Sequence, residues 1–162
     1  MKKKLEENQR KKILEKAYGY LARRNHSEEE LKSKLLKKFP QKLPVEKVIT
    51  HLKKLDYLDD EKFAQEWIEY RLSAKPRGRI VIKRELRIKG VNEGLVEKTL
   101  NLVYNRDREK KELVRLLGQR ADKYPRTRKG KNQLISYLLH RGFLWEDIKE
   151  SMESEEELKI YK

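Results

Sequence analysis

The side chains in this sequence that could do chemistry are mostly cations. Between residues 71 and 90 stand Arg71, Lys75, Arg77, Arg79, Lys83, Arg84, Arg87 and Lys89 against one acid, Glu85. A second cluster, Arg120, Lys123, Arg126, Arg128, Lys129 and Lys131, is opposed by Asp122 alone. Clusters of this kind draw in phosphate or acidic protein surface. The catalytic inventory is thin by comparison. His26, His51 and His140 are far apart and lack metal-ligand spacing, which reads as surface or helix-end histidine. No Gly-rich phosphate loop follows a strand, and no G-x-S-x-G elbow occurs. Glu30-Leu31-Lys32 has the E-x-K form of some nucleases, but it falls on a predicted helix rather than the sheet that chemistry needs. Asp59-Asp60 is sufficiently explained as a helix cap. The expectation is a non-enzyme with no catalytic residue, metal or cofactor.

The elements that must carry these cations are helices. Leu14, Ala17, Tyr18 and Leu21 give residues 5–24 an apolar face. Ser27-Glu28-Glu29-Glu30 has the form of a capping box, in which the Ser hydroxyl takes the N3 amide and Glu30 reaches back. The helix it opens carries Leu31, Leu35 and Leu36 and ends before Pro40. Pro44 suits the first turn of a third helix bearing Val48, Ile49, Leu52 and Leu55. The pattern recurs with Asp59 or Asp60 capping a helix that carries Phe63, Ala64, Trp67, Ile68 and Leu72, where Trp67 is expected in the core. Helices follow over Ile82–Leu86, ending at Gly90, and after Asn92. A third round runs through Leu113, Leu117, Leu134 and Leu138 to a last helix from about Trp145.

A shift of 52 residues superposes Gly78 on Gly130, Ile82 on Leu134, Leu86 on Leu138, Gly90 on Gly142, Val96 on Ile148 and Leu100 on Met152. With only seven glycines in the chain, two glycine pairs at one offset mark a true repeat. The first round matches at 51 residues through Leu31 and Leu35 and at 48 through Val48 and Leu52. Its Phe39–Leu43 loop is therefore about three residues longer. The fold class expected is all-α, a tandem array of three three-helix repeats, elongated and curved. The segments are 1–56 with an N-terminal basic helix, 57–105, and 106–162 with an acidic last helix.

The chain has 162 residues, 42 Lys and Arg against 27 Asp and Glu, and a net charge of +15. Charged residues at 43% against 36% hydrophobic make for a thin core, which suits units packed mainly on their neighbours. Cysteine is absent, excluding disulfides and thiolate metal sites. The basic N-terminus has no apolar h-region and no run approaches 18 apolar residues, so a cytoplasmic protein is expected. At 100° per residue, Arg79, Lys83, Arg84 and Arg87 fall within an arc of about 140°, with Val81, Ile82, Leu86 and Ile88 opposite. One face is then buried and the other cationic, and exchange of Arg79, Lys83 and Arg87 for Glu is expected to spare the core. No helix presents an obvious base-reading set of Asn, Gln and Arg. Any affinity for free DNA is thus expected to be weak, sequence-tolerant and salt-dependent. The acid-rich run Glu146–Glu157 reads as a solubilising face.

Three motifs in order carry a resemblance. Tyr20-Leu21-x-x-Arg24-x-x-Ser27-x-x-Glu30-Leu31-x-x-Lys34-Leu35 is the first. The second is Tyr57-Leu58-Asp59-Asp60-x-x-Phe63-Ala64 running into Arg71, Lys75, Gly78, Ile82, Leu86 and Lys89-Gly90-Val91, and the third is Arg141-Gly142-Phe143. Over residues 15–150 the sequence resembles the RecX family of recombination regulators. The resemblance implies binding to the RecA filament on single-stranded DNA, lodged in its helical groove, with restraint of filament growth, ATP hydrolysis, strand exchange and repressor self-cleavage. A repeat array needs no dimer interface, so a monomer is expected, and its cations are expected to give weak affinity for single-stranded DNA and for duplexes. The residues expected to meet RecA or phosphate are Arg24, Arg71, Lys75, Arg77, Arg79, Lys83, Arg84, Arg87, Arg126, Arg128, Lys129 and Lys131. Two positions depart from the family pattern: Asp56 and Phe39 stand where Gly is usual, which affects turns. The alternative reading is a sequence-tolerant DNA-binding module of helix-turn-helix type. Far-UV circular dichroism should give a helix-dominated spectrum, and substantial strand content would sink the repeat assignment.

Overall fold

The computed structural model describes residues 2–154, with side chains from Glu6 onward; the end of the third segment, including the last acids of Glu146–Glu157, lies outside the described residues. Nine α-helices occur among the described residues, with no strand. They are α1 (Lys2–Leu21), α2 (Glu28–Leu36), α3 (Lys42–Lys54), α4 (Asp60–Ala74), α5 (Arg79–Ile88), α6 (Glu93–Val103), α7 (Arg106–Arg120), α8 (Arg128–His140) and α9 (Trp145–Ser154), with a 3-10 turn at Ala121–Lys123. The repeat register survives in burial, since Leu31, Ile82 and Leu134 are all fully buried, as are Leu35, Leu86 and Leu138. The extra residues of the first repeat mostly lengthen α3 instead of the loop, because Lys42 and Leu43 are already helical.

Packing groups the chain into two compact units, Met1–Glu66 with Leu86–Val96, and Trp67–Glu85 with Glu97–Lys162. In the first, Ile13 and Ala17 of α1, Leu31 and Leu35 of α2, and Val45, Val48, Ile49 and Leu52 of α3 form one core. Ser27 caps α2 by accepting from the Glu30 amide at 3.1 Å. Glu30 does not reach back as a capping box would; its carboxylate is held by Arg24 and Lys89. The Ser27 hydroxyl donates to the carbonyl of Lys89, the residue before Gly90. Gly90 adopts φ +80°, and a Cβ on it would lie 2.3 Å from Glu29 Cβ. Asp60 Oδ1 accepts from the Glu28 amide at 2.8 Å, so an acid at the start of α4 caps α2, while Asp59 caps α4 itself.

In the second unit, Leu113, Leu116 and Leu117 of α7 meet Leu134 and Leu138 of α8, Phe143, and Ile148 and Met152 of α9. The same joint recurs there with different chemistry. The Gly78 amide donates to the carbonyl of Arg141, the residue before Gly142, at 2.9 Å. A Cβ on Gly78 would lie 2.0 Å from the Gly142 oxygen, and Gly142 itself has φ +87°. Glu109 Oε1 accepts from the Arg79 amide at 2.7 Å, as Asp60 does from Glu28. Gly130, superposed on Gly78 by the repeat, has another neighbour: its Cβ position is 2.0 Å from the Pro125 oxygen, and its amide donates to Thr127 Oγ1.

The two departures from glycine have separate explanations. Asp56 sits at φ 56°, the left-handed region that glycine favours and that Asp enters more readily than most residues. Phe39 stands at the position of Gly90 and Gly142, and its ring packs on the first core. His26 corrects the surface reading, being 3% exposed with Nδ1 against the Arg24 carbonyl and Nε2 against Lys34. Gly78→Ala should lower the melting temperature sharply. Gly118→Ala, a helical glycine of α7 with no neighbour within 4 Å of a Cβ, should raise stability by about 0.5–1 kcal/mol. Parallel thermal melts of the two variants check this.

Candidate functional site

Helix α5 buries Val81, Ile82 and Leu86 but not Ile88, which is 79% exposed. Ile88 lies only about 40° around the helix from Arg84, on the solvent side, and no neighbour reaches it. The cations of α5 divide by what they touch. The Arg79 guanidinium turns back onto the C-terminal end of α6, donating to the carbonyls of Leu100 at 3.0 Å and Tyr104 and to Asn101 Oδ1 at 2.6 Å. The Tyr104 carbonyl lies just past the end of α6 and the Leu100 carbonyl, which also accepts the Tyr104 amide, in its last turns, so Arg79 is a cap and not a free surface charge. Lys83 pairs with Glu97, and Arg87 forms a two-pronged pair with Glu93. The expectation that Arg79 can be reversed without loss of stability is therefore corrected. Arg84 is exposed and has no acidic partner among the described residues.

Glu85, the lone acid of the first basic cluster, gathers much of that cluster around itself. Its Oε2 accepts from Arg71 Nε at 2.7 Å and from the Trp67 indole at 3.0 Å. Arg77 Nε stands 3.6 Å from Oε1, an ion pair without a hydrogen bond. Arg71 also lies 4.7 Å from the Trp67 ring centre and 5.7 Å from that of Tyr70, within cation–π range. Trp67 is accordingly half-buried at the edge of the apolar face and not in the core, because its N–H needs an acceptor. Tyr70 is 56% exposed beside it. Lys75 is exposed with no acidic partner among the described residues.

Arg24 grips Glu30 with both guanidinium nitrogens at 2.7 and 2.9 Å, and Lys89 adds a third contact at 3.1 Å. Burial opposes ionisation of Glu30, but the hydrogen bonds and charges of Arg24 and Lys89 outweigh it and hold the carboxyl at about 2. This ties the E-x-K motif to structure. In the third repeat Arg126, Arg128 and Lys129 are exposed and Lys131 is half-buried. Of these, Arg126 has an acid as near as 4.0 Å, Asp122. An open groove along α8 is lined by Arg128, Lys129, Asn132, Gln133 and Ser136. Helical spacing sets the three polar residues beside the cations, and all three are exposed. Trp145 is 47% exposed at the start of α9. Among the described residues no three His, Asp or Glu gather as a metal site, and no helix is long and apolar enough to cross a membrane.

Residues 59–100 match the family model described as RecX, second three-helix domain. A protein named Regulatory protein RecX from Pelodictyon phaeoclathratiforme is 36% identical over 141 residues, covering 84% of each chain. A relative of the same name from Clostridium tetani is 33% identical over 142 residues, and the match spans 85% of this chain but 61% of that relative's length. The crystal structure of RecX from Lactobacillus salivarius has a TM-score of 0.76 at 24% identity, covering 94% of this chain and 98% of that one, a likeness of fold.

Glu30 generates a pH dependence with a definite sign. Its pKa is lower in the folded chain than its ordinary 4.5, so its contribution is fully present above pH 4.5 and is lost as pH falls toward about 2. Urea midpoints of wild type and Glu30→Gln should therefore differ most above pH 4.5 and converge toward pH 2. A difference that stays constant across that range would contradict the Arg24–Glu30–Lys89 cluster.

Proposed function

The chain belongs to the RecX family, and from that premise we propose that it binds the RecA–single-stranded DNA filament in its helical groove and inhibits recombinase, ATPase and coprotease activities. It works by occupancy and has no reaction of its own. The observation that carries the reading is a set of exposed cations that no acid among the described residues neutralises. Lys75 and Arg84 are such residues within the segment that matches the family model, and Arg128 and Lys129 are such residues in the third repeat. Arg71, Arg77, Arg79, Lys83 and Arg87 support the surface from within by pairing with Glu85, Glu97, Glu93 and the end of α6. Arg24 has the same role beside Glu30. A preformed helical surface meets its ordering cost on folding and not on binding. The protein acts as a cytoplasmic monomer, and the exposed cations give it weak, salt-sensitive affinity for DNA.

The test is RecA's DNA-dependent ATPase with the protein titrated in. Wild type should inhibit. Lys75→Glu with Arg84→Glu should raise the concentration for half-inhibition at least about tenfold, because each reversal replaces attraction by repulsion. Both positions are exposed, so the variant should stay within about 0.5 kcal/mol of wild type per substitution. Arg79→Glu should lower stability instead, since it uncaps α6. If the double reversal melts normally and inhibits like wild type, the proposed surface is wrong.

A further inference from the structure

We infer that α8 is a base-reading helix that enters the major groove of duplex DNA, a role whose amides and hydroxyl go beyond the filament contact proposed for Lys75, Arg84, Arg128 and Lys129. From Arg128 to His140 the helix contains no Asp or Glu. At 100° per residue, Arg128, Asn132, Ser136, Lys129 and Gln133 fall within about 140° of arc. All five are exposed, while Gly130, Leu134 and Leu138 on the opposite side are buried. These five residues line the open groove along the helix. Asn132 and Gln133 take part in no hydrogen bond within the described residues, and Arg128 and Lys129 in no ion pair, so donors and acceptors alike stand ready for a partner.

That combination selects among polyanions. An acidic protein surface or a membrane calls chiefly for cations, and this face sets two amides and a hydroxyl among them. A single strand is held by stacking on exposed aromatic rings, and this face has none; Tyr137 is half-buried against Arg120 and Arg141. Duplex base edges use the whole set. A side-chain amide pairs with adenine N6 and N7, a guanidinium or ammonium with guanine O6 and N7, and a hydroxyl with either. A helix about 10–12 Å across fits a major groove about 12 Å wide. The rise from Arg128 to Ser136, about 12 Å, spans some three to four base pairs.

The experiment selects binders from a pool of 20-base-pair duplexes with randomised centres, using the full chain, and measures the winners by fluorescence anisotropy across salt. Wild type should enrich a short motif and prefer it over a scrambled duplex by about tenfold or more. Asn132→Ala with Gln133→Ala should bring that preference to within about twofold of unity while leaving the salt slope in place. Arg128→Ala and Lys129→Ala should each relax the motif at one position, as loss of a guanine contact does. Circular dichroism melts confirm that each variant folds. Lys75→Glu with Arg84→Glu should leave the selected motif unchanged, which separates this role from inhibition. No enrichment, a motif that survives loss of both amides, or tighter binding of the motif as a single strand would overturn the inference.

Discussion

Twice in this chain a carbonyl at the end of one repeat's middle helix must come within hydrogen-bonding distance of the start of the preceding repeat's middle helix. At the first place Ser27 donates to Lys89, and at the second the Gly78 amide donates to Arg141. Both acceptors precede a glycine with positive φ, and both contacts are closer than a Cβ would allow. An acid at the start of the following repeat, Asp60 or Glu109, closes each joint by capping the same helix start. Burial raises the pKa of both acids, and the amide hydrogen bond each accepts offsets that in part. The repeats are thus joined by helix ends, where backbone groups lack partners of their own.

The same economy governs the charges. A surplus of +15 would be a poor surface if every cation faced water and its neighbours. Glu85 draws in Arg71, Arg77 and Trp67, Glu30 draws in Arg24 and Lys89, and Arg79 closes the end of α6. Among the described residues left without an acidic partner are Lys75 in a loop, Arg84 on the exposed edge of α5, and Arg128 and Lys129 on one face of α8. Sorting cations by partner separates those that hold the fold from those available to bind.

Much of this was legible in the sequence, and the failures have a common cause. Helical periodicity located the helices and the repeat register, because it depends on local geometry and on which side chains avoid water. The glycine pairs at one offset pointed to the joints. Periodicity assigns an angle around an axis, but it does not say which neighbour arrives there. Ile88 lies at the edge of its arc and finds none. Arg79 meets carbonyls contributed by residues 100 and 104, and Trp67 meets an acid 18 residues away, so both were misread. Gly78 and Gly130 coincide in the repeat yet answer to different neighbours, the Gly142 oxygen and the Pro125 oxygen. Asn132 and Gln133 were passed over because an amide in a helix is unremarkable until its exposure and its companions are known.

The joint has a direction. A repeat receives through the start of its middle helix and gives through the glycine turn at the end of it. Phe39 removes the giving end from the first repeat, since a benzyl group stands where a bare backbone would have to enter. Pro125 folds over Gly130 and occupies the receiving end of the third, whose amide is already committed to Thr127. The end of the first repeat's middle helix and the start of the third's thus hold groups of their own where the linked positions hold a neighbour's backbone.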